Sequence, residues 1–114
     1  MSNELSTPKI LLCPNDTRKT PATNFAVGFG DNNLSYFVGL DAVNGDAASL
    51  LSGDRNLTNG QVPGSAVVKV TANLVLGWGK DMHSGKANLC FGDGSAMQVQ
   101  NGFVNAGTNC LAIP

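Results

Sequence analysis

The chain has 114 residues, enough for one domain with a modest core. Hydrophobic residues make up 42% and charged residues only 13%, about half the usual share, so a turn-rich surface must be dressed with neutral polar groups and some of the 14 glycines. The formal net charge is −1, and of seven scattered Lys and Arg only Arg18 and Lys19 stand together, which argues against the basic stripe that nucleic-acid binding requires.

In chain order, "SNELSTPKI" (2–10) reads as the last turn of a helix ended by Pro8, and "PATNF" (21–25) as a single helical turn. "LSYFVGL" (34–40) is aromatic and β-branched, a strand with Leu34, Tyr36, Val38 and Leu40 on one face. Turn signals follow at "NGD" (44–46), "SGD" (52–54), "TNG" (58–60) and "PGS" (63–65), after an earlier one at "DNN" (31–33). "SAVVKVTANLVLGWG" (65–79) is the longest strand, or two strands bent near Ala72 and Asn73. "ANLCFGDGSAMQV" (87–99) alternates Ala87, Leu89 and Phe91 against Asn88 and Cys90, then turns at Asp93-Gly94. Asp-Gly between alternating runs predicts a hairpin with a type I′ turn, which needs positive φ at both central residues. Further turns are read at "SGK" (84–86) and "NG" (101–102), and no window sustains helical periodicity over three turns. The sum is antiparallel β structure with little helix.

The chemistry available is sparse. His83 is the sole histidine, so any imidazole mechanism must use it. No G-x-S-x-G elbow surrounds any serine, and Cys90 lies mid-strand, away from a helix N-terminus that would activate a thiol. A metal shared by His83 and Asp93 fails on reach, because a strand over 87–92 separates its ends by roughly 20 Å. The expected partner of His83 is then a backbone carbonyl or a residue of another strand. Asp31, Asp41, Asp46, Asp54 and Asn56 are oxygen donors suited to calcium, but no D-x-[DN]-x-[DN]-G loop is present and Asx residues serve turns in their own right. Cys13, Cys90 and Cys110 form no C-x-x-C pair; they allow one structural disulfide of unknown pairing, or three buried thiols. "NDT" (15–17), "NLS" (33–35) and "NLT" (56–58) match the N-glycosylation pattern at a frequency expected of an Asn-rich chain. Trp78, between Gly77 and Gly79, is either a sugar-stacking platform or a core lid.

Three blocks in fixed order carry a resemblance. "SNELSTPKILLCPNDTRKTPATNF" (2–25), "NLSYFVGLDA" (33–42) with "LLSGDRNLT" (50–58), and "GW…MHSGKANLCFGDGSAMQV" (77–99) resemble the heads of bacterial pseudopilin-like proteins with a prepilin-type N-terminus and an H-x9-DG C-terminal signature, here His83, Asp93 and Gly94. These are related to type II secretion pseudopilins and type IV pilins. The resemblance implies an α+β pilin-like head with its N-terminal helix absent, one domain over 1–114, and a non-enzymatic role in protein transport. It further implies other pseudopilin subunits and secretion-machine components as partners, no nucleic acid and no cofactor. The full-length protein would be anchored by the missing helix at the periplasmic face of the inner membrane, with this fragment soluble. The hairpin around Asp93-Gly94 and the loops near 41–65 are the expected contacts between subunits. Two departures stand out: Gly92 replaces a commoner alanine, which should loosen the strand end, and Cys90 occupies a position usually just apolar. An exported glycan- or peptide-binding β module using Trp78, Tyr36 or the Asx-rich loops is the alternative, and a small hydrolase built on His83 a third.

Overall fold

The computed structural model describes residues 6–26, 28–58, 66–80 and 82–114. Eight strands run in chain order: β1 Tyr36–Gly39, β2 Leu50–Asp54, β3 Ala66–Val70, β4 Val75–Leu76, β5 Lys86–Phe91, β6 Ala96–Gln100, β7 Phe103–Val104 and β8 Asn109–Ile113. Six form one antiparallel sheet in the order β3-β8-β1-β2-β5-β6, and β4 pairs with β7 as a separate ribbon. The fold is mostly antiparallel β-sheet with almost no helix, as composition and turn spacing led one to expect. No helix among the described residues is long and apolar enough to cross a membrane.

The alternation read from 87–99 holds: Ala87, Leu89 and Phe91 are buried while Lys86 and Asn88 are exposed. With Phe37, Leu50, Val99 and Leu111 they form the inner sheet face, covered by Leu76, Trp78 and Phe103 from the ribbon and its flank and by Leu57, which bridges Trp78. The segment 65–79 does divide at the predicted bend, where Asn73 takes φ 63°, and its two halves enter different sheets.

Four local expectations fail for identifiable reasons. "SGD" (52–54) is strand, not turn: Gly53 lets Phe37 and Leu89 meet across β2, since a Cβ there would lie 2.7 Å from the Phe37 ring and 2.5 Å from Leu89. Pro8 opens a short 3-10 turn, Pro8–Leu11, where its fixed φ suits the first position and Thr7 Oγ1 accepts the Lys9 amide. Residues 21–25 form no helical turn; the second 3-10 turn is Asp31–Asn33. The β5–β6 hairpin is present, but its turn is not type I′. Only Gly94 is left-handed there (φ 87°), and the Gly94 amide reaches the Phe91 carbonyl while the Phe91 amide reaches that of Ser95. The type I′ geometry belongs to "SGK" instead: Ser84 and Gly85 take φ 54° and 82°, and the Lys86 amide donates to the His83 carbonyl.

Gly92 also behaves against expectation. Its amide donates to Ser49, its carbonyl accepts the Gly45 amide, and an added Cβ would sit 2.2 Å from the Val43 carbonyl oxygen. The missing side chain tightens this corner, because it lets the loop after β1 lie directly on the hairpin. Of the expected contact loops, 59–65 lie outside the described residues.

Candidate functional site

Among the described residues the N-terminal segment pairs with no strand, so single hydrogen bonds fasten it. Ser35, just before β1, does this at two points: its amide donates to the Leu11 carbonyl and its hydroxyl accepts the Cys13 amide at 2.9 Å. The chain then turns on itself, with the Asp16 amide donating to Cys13. Asp16 is buried and receives both arms of the Arg55 guanidinium, the Nε bond being 2.7 Å. Burial works against the Asp16 carboxylate, but hydrogen bonds from Arg55 and Ser35 and the charge of Arg55 outweigh it and hold its pKa below the ordinary value.

Asp54, at the end of β2, is completely buried. Its Oδ2 accepts the amide of Asn88 at 2.7 Å and the Asn88 side-chain nitrogen at 3.3 Å, while no protein group among the described residues bonds its Oδ1. The type I′ turn then aims His83 at this spot. His83 Nε2 lies 3.4 Å from Cys13 Sγ and 3.6 Å from Asp54 Oδ2. Tyr36 stands alongside: burial first, and then the neighbouring Cys13, Asp54 and Asp16, push its hydroxyl above its usual pKa.

Cys13 and Asp54, each within 4 Å of His83 Nε2, invite comparison with a catalytic relay. In such a relay the carboxylate binds Nδ1 and orients the ring, leaving Nε2 for the nucleophile. Here the thiol and the carboxylate compete for the same nitrogen. Cys13 is also buried, at 5% exposure. The arrangement is a joint: it ties segment 11–18 to the ends of β1, β2 and β5.

Of the two partners expected for His83, a backbone carbonyl or a residue of another strand, it meets the second, Asp54 at the end of β2, together with Cys13. Asp93 is exposed and caps its own turn, accepting the Ser95 amide at 2.9 Å and the Ser95 hydroxyl at 2.6 Å; those bonds lower its pKa. His83 and Asp93 mark opposite ends of β5 and share no site. The oxygen donors considered for calcium are dispersed: Asp41 accepts the Cys110 amide, Asp46 the Ala48 amide, and Asn56 is buried against the Gly79 carbonyl. Among the described residues no three His, Cys, Asp or Glu side chains converge to hold an ion.

All three cysteines are free, and only Cys13 is buried. Two strands separate Cys90 on β5 from Cys110 on β8, about 14 Å at the usual strand spacing and out of disulfide reach. Asn33 is buried, with its side chain bonded to Thr20 and Gly30, so "NLS" offers no accessible acceptor in the folded chain. Trp78 is 2% exposed, a core lid.

The sequence reading missed the joint because its members lie in separate blocks: Cys13 and Asp16 in "LLCPND", Asp54 and Arg55 in "SGDRN", His83 in "MHSG". The available clue was Asp-Arg inside an apolar strand context in a chain so poor in charge. No family model, no curated protein and no solved structure matches the chain.

Proposed function

We propose that this chain is the globular head of a pseudopilin-like subunit, serving a type II secretion pseudopilus or type IV pilus-like filament by assembly and not by catalysis. One observation carries the reading. The three blocks that resemble the family meet at a single closed joint, so His83 of the H-x9-DG pattern has a scaffold role that does not require a substrate. The outer sheet face meanwhile stays open, with Val67 at 67% and Val38 at 49% exposure, the kind of surface an assembling subunit covers on association. In this account the full-length protein carries an upstream apolar helix that anchors it at the periplasmic face of the inner membrane, giving the α+β pilin-like whole. The exposed Asp93-Gly94 turn and the loop 41–47 offer contacts to neighbouring subunits. Burial of Trp78 counts against the glycan- or peptide-binding alternative, which keeps Tyr36 and the Asx-rich loops as its contact surface.

The test is the gene upstream of Met1. A short basic leader followed by an apolar stretch of about 20 residues, long enough for a membrane-anchored helix, is the expected result. An in-frame stop directly upstream, or a polar domain in that place, would overturn the proposal.

A further inference from the structure

The strand β6 is one of the two edges of the six-stranded sheet, and its ladder with β5 fixes which way its backbone points. The Phe91 amide donates to the Ser95 carbonyl at one end of the hairpin, and the Asn101 amide to the Gly85 carbonyl at the other. Antiparallel pairs alternate, so Ser95, Met97, Val99 and Asn101 turn their amides and carbonyls toward β5, while Ala96, Gln98 and Gln100 turn theirs away. Among the described residues no group bonds those outward amides and carbonyls. A depression of about 260 Å³, bordered by Lys86, Gln98, Val99 and Gln100, opens beside them. Edges are commonly guarded by charge, proline or a bulge, and β3 on the far side carries Lys69. The strand β6 has no such guard: Ala96–Gln100 is uncharged, lacks proline and keeps unbroken register with β5. On the inner face Met97 lies beside buried Leu89 yet is 49% exposed, at the rim where the sheet stops.

The geometry points to β6 as a pairing edge for a second copy of this chain, joined antiparallel about a two-fold axis at Gln98 into one continuous sheet. In that register Gln98 meets its own copy and Ala96 meets Gln100, which closes about six backbone hydrogen bonds. Met97 falls opposite Val99 of the second copy, in the close position between hydrogen-bonded pairs, so its exposed side chain gains an apolar neighbour. Charge selects a second copy over an unrelated strand. From Gly85 to Val104 only Lys86 and Asp93 are charged; they stand at opposite ends of the hairpin, both exposed. Neither forms an ion pair among the described residues, and the Ser95 groups that bond Asp93 are neutral donors that leave its charge in place. Two-fold pairing sets the lysine end of each copy beside the aspartate end of the other, and the edge between them carries no charge to repel its copy. The inference rests on this edge alone, apart from the open sheet face and the upstream helix of the reading above.

Sedimentation of the whole chain from about 10 μM to roughly 1 mM should show a monomer–dimer equilibrium. A mixture of labelled and unlabelled chains should give an intermolecular NMR contact between the Hα atoms of Met97 and Val99. The amides of Ala96, Gln98 and Gln100 should exchange more slowly as concentration rises. Gln98→Lys sets two ammonium groups at the axis and should weaken association about tenfold. Lys86→Glu leaves like charges at both ends and should weaken it about threefold, while Val67→Lys on β3 should leave it unchanged. A chain that stays monomeric to roughly 1 mM overturns the inference, as does association that survives Gln98→Lys or is lost in Val67→Lys. Binding of an extended peptide along β6 without self-association also overturns it, because the edge would then serve a different chain. The Met97–Val99 contact is read in the unmodified protein, so a variant that fails to fold leaves the test intact. An upstream gene segment without a membrane helix would leave this pairing standing, so the two proposals fail independently.

Discussion

The two ends of the outer sheet face are built in opposite ways. Where Tyr36 pairs with Asp54, charged and polar groups are sealed under the N-terminal segment: Asp54 is fully buried, and Asp16 and Arg55 nearly so. One register step on, where Val38 pairs with Ala112 and Ser52, the same face is apolar and open. Burial here does not follow hydrophobicity; it follows which element has something to fasten. The polar end is closed because segment 11–18 has no strand partner among the described residues and is held by directional bonds, which specify geometry in a way apolar contact does not. The apolar end has no described segment across it, and its exposed Val67 and Val38 are the features that call for a partner.

Mutations can break this contrast from either side. The largest effect should come from beneath it: Phe37→Ala opens a cavity between Gly53 and Leu89 in the shared core and should cost about 4 kcal/mol in denaturant unfolding. Next is the sealed end. Asp16→Ala leaves the Arg55 guanidinium buried without its carboxylate and should cost about 3 kcal/mol, whereas an exposed ion pair would contribute under about 1 kcal/mol. The same pair sets an acid dependence. Asp16 has a folded pKa below its unfolded value of about 3.9, so its contribution is complete above that pH and is lost as pH falls through the folded pKa. Urea midpoints measured from pH 6 down to pH 2 should show this loss in the parent chain, with a shallower decline in Asp16→Asn. His83→Ala should cost about 1 kcal/mol, since it removes one side chain from the joint and leaves the Ser35 and Arg55 bonds in place. Smallest of all, Val67→Thr on the open face should change stability by less than about 0.5 kcal/mol by thermal melting. A large loss there would mean that the face is already covered in the isolated chain.

How far the sequence foretold this depends on the range of the interaction. The β5–β6 hairpin and the buried set Ala87, Leu89 and Phe91 were legible, because period-two alternation and Asp-Gly are local. Turn type was not. Gly92 is held by Ser49 and Gly45, contacts from more than 40 positions away, and the type I′ turn formed at Ser84-Gly85 instead. "SGD" read as a turn because Gly53 looks like punctuation, yet the glycine is required by Phe37 and Leu89 meeting across it. The joint was the least legible feature. Cys13 and His83 are 70 residues apart, Asp16 and Arg55 are 39 apart, and nothing in their local sequence couples them.

The central claim is that His83 fastens the N-terminal segment to the sheet. Amide hydrogen exchange on His83→Ala tests it most directly. The amides of Cys13, Asp16 and Ser35 bond within or to that segment, whereas Leu89 and Val99 sit in the sheet core. The account predicts faster exchange at Cys13, Asp16 and Ser35, with protection at Leu89 and Val99 changed only by the small global loss in stability. Unchanged protection at Cys13 and Asp16 would contradict it, because His83 would then hold nothing in place.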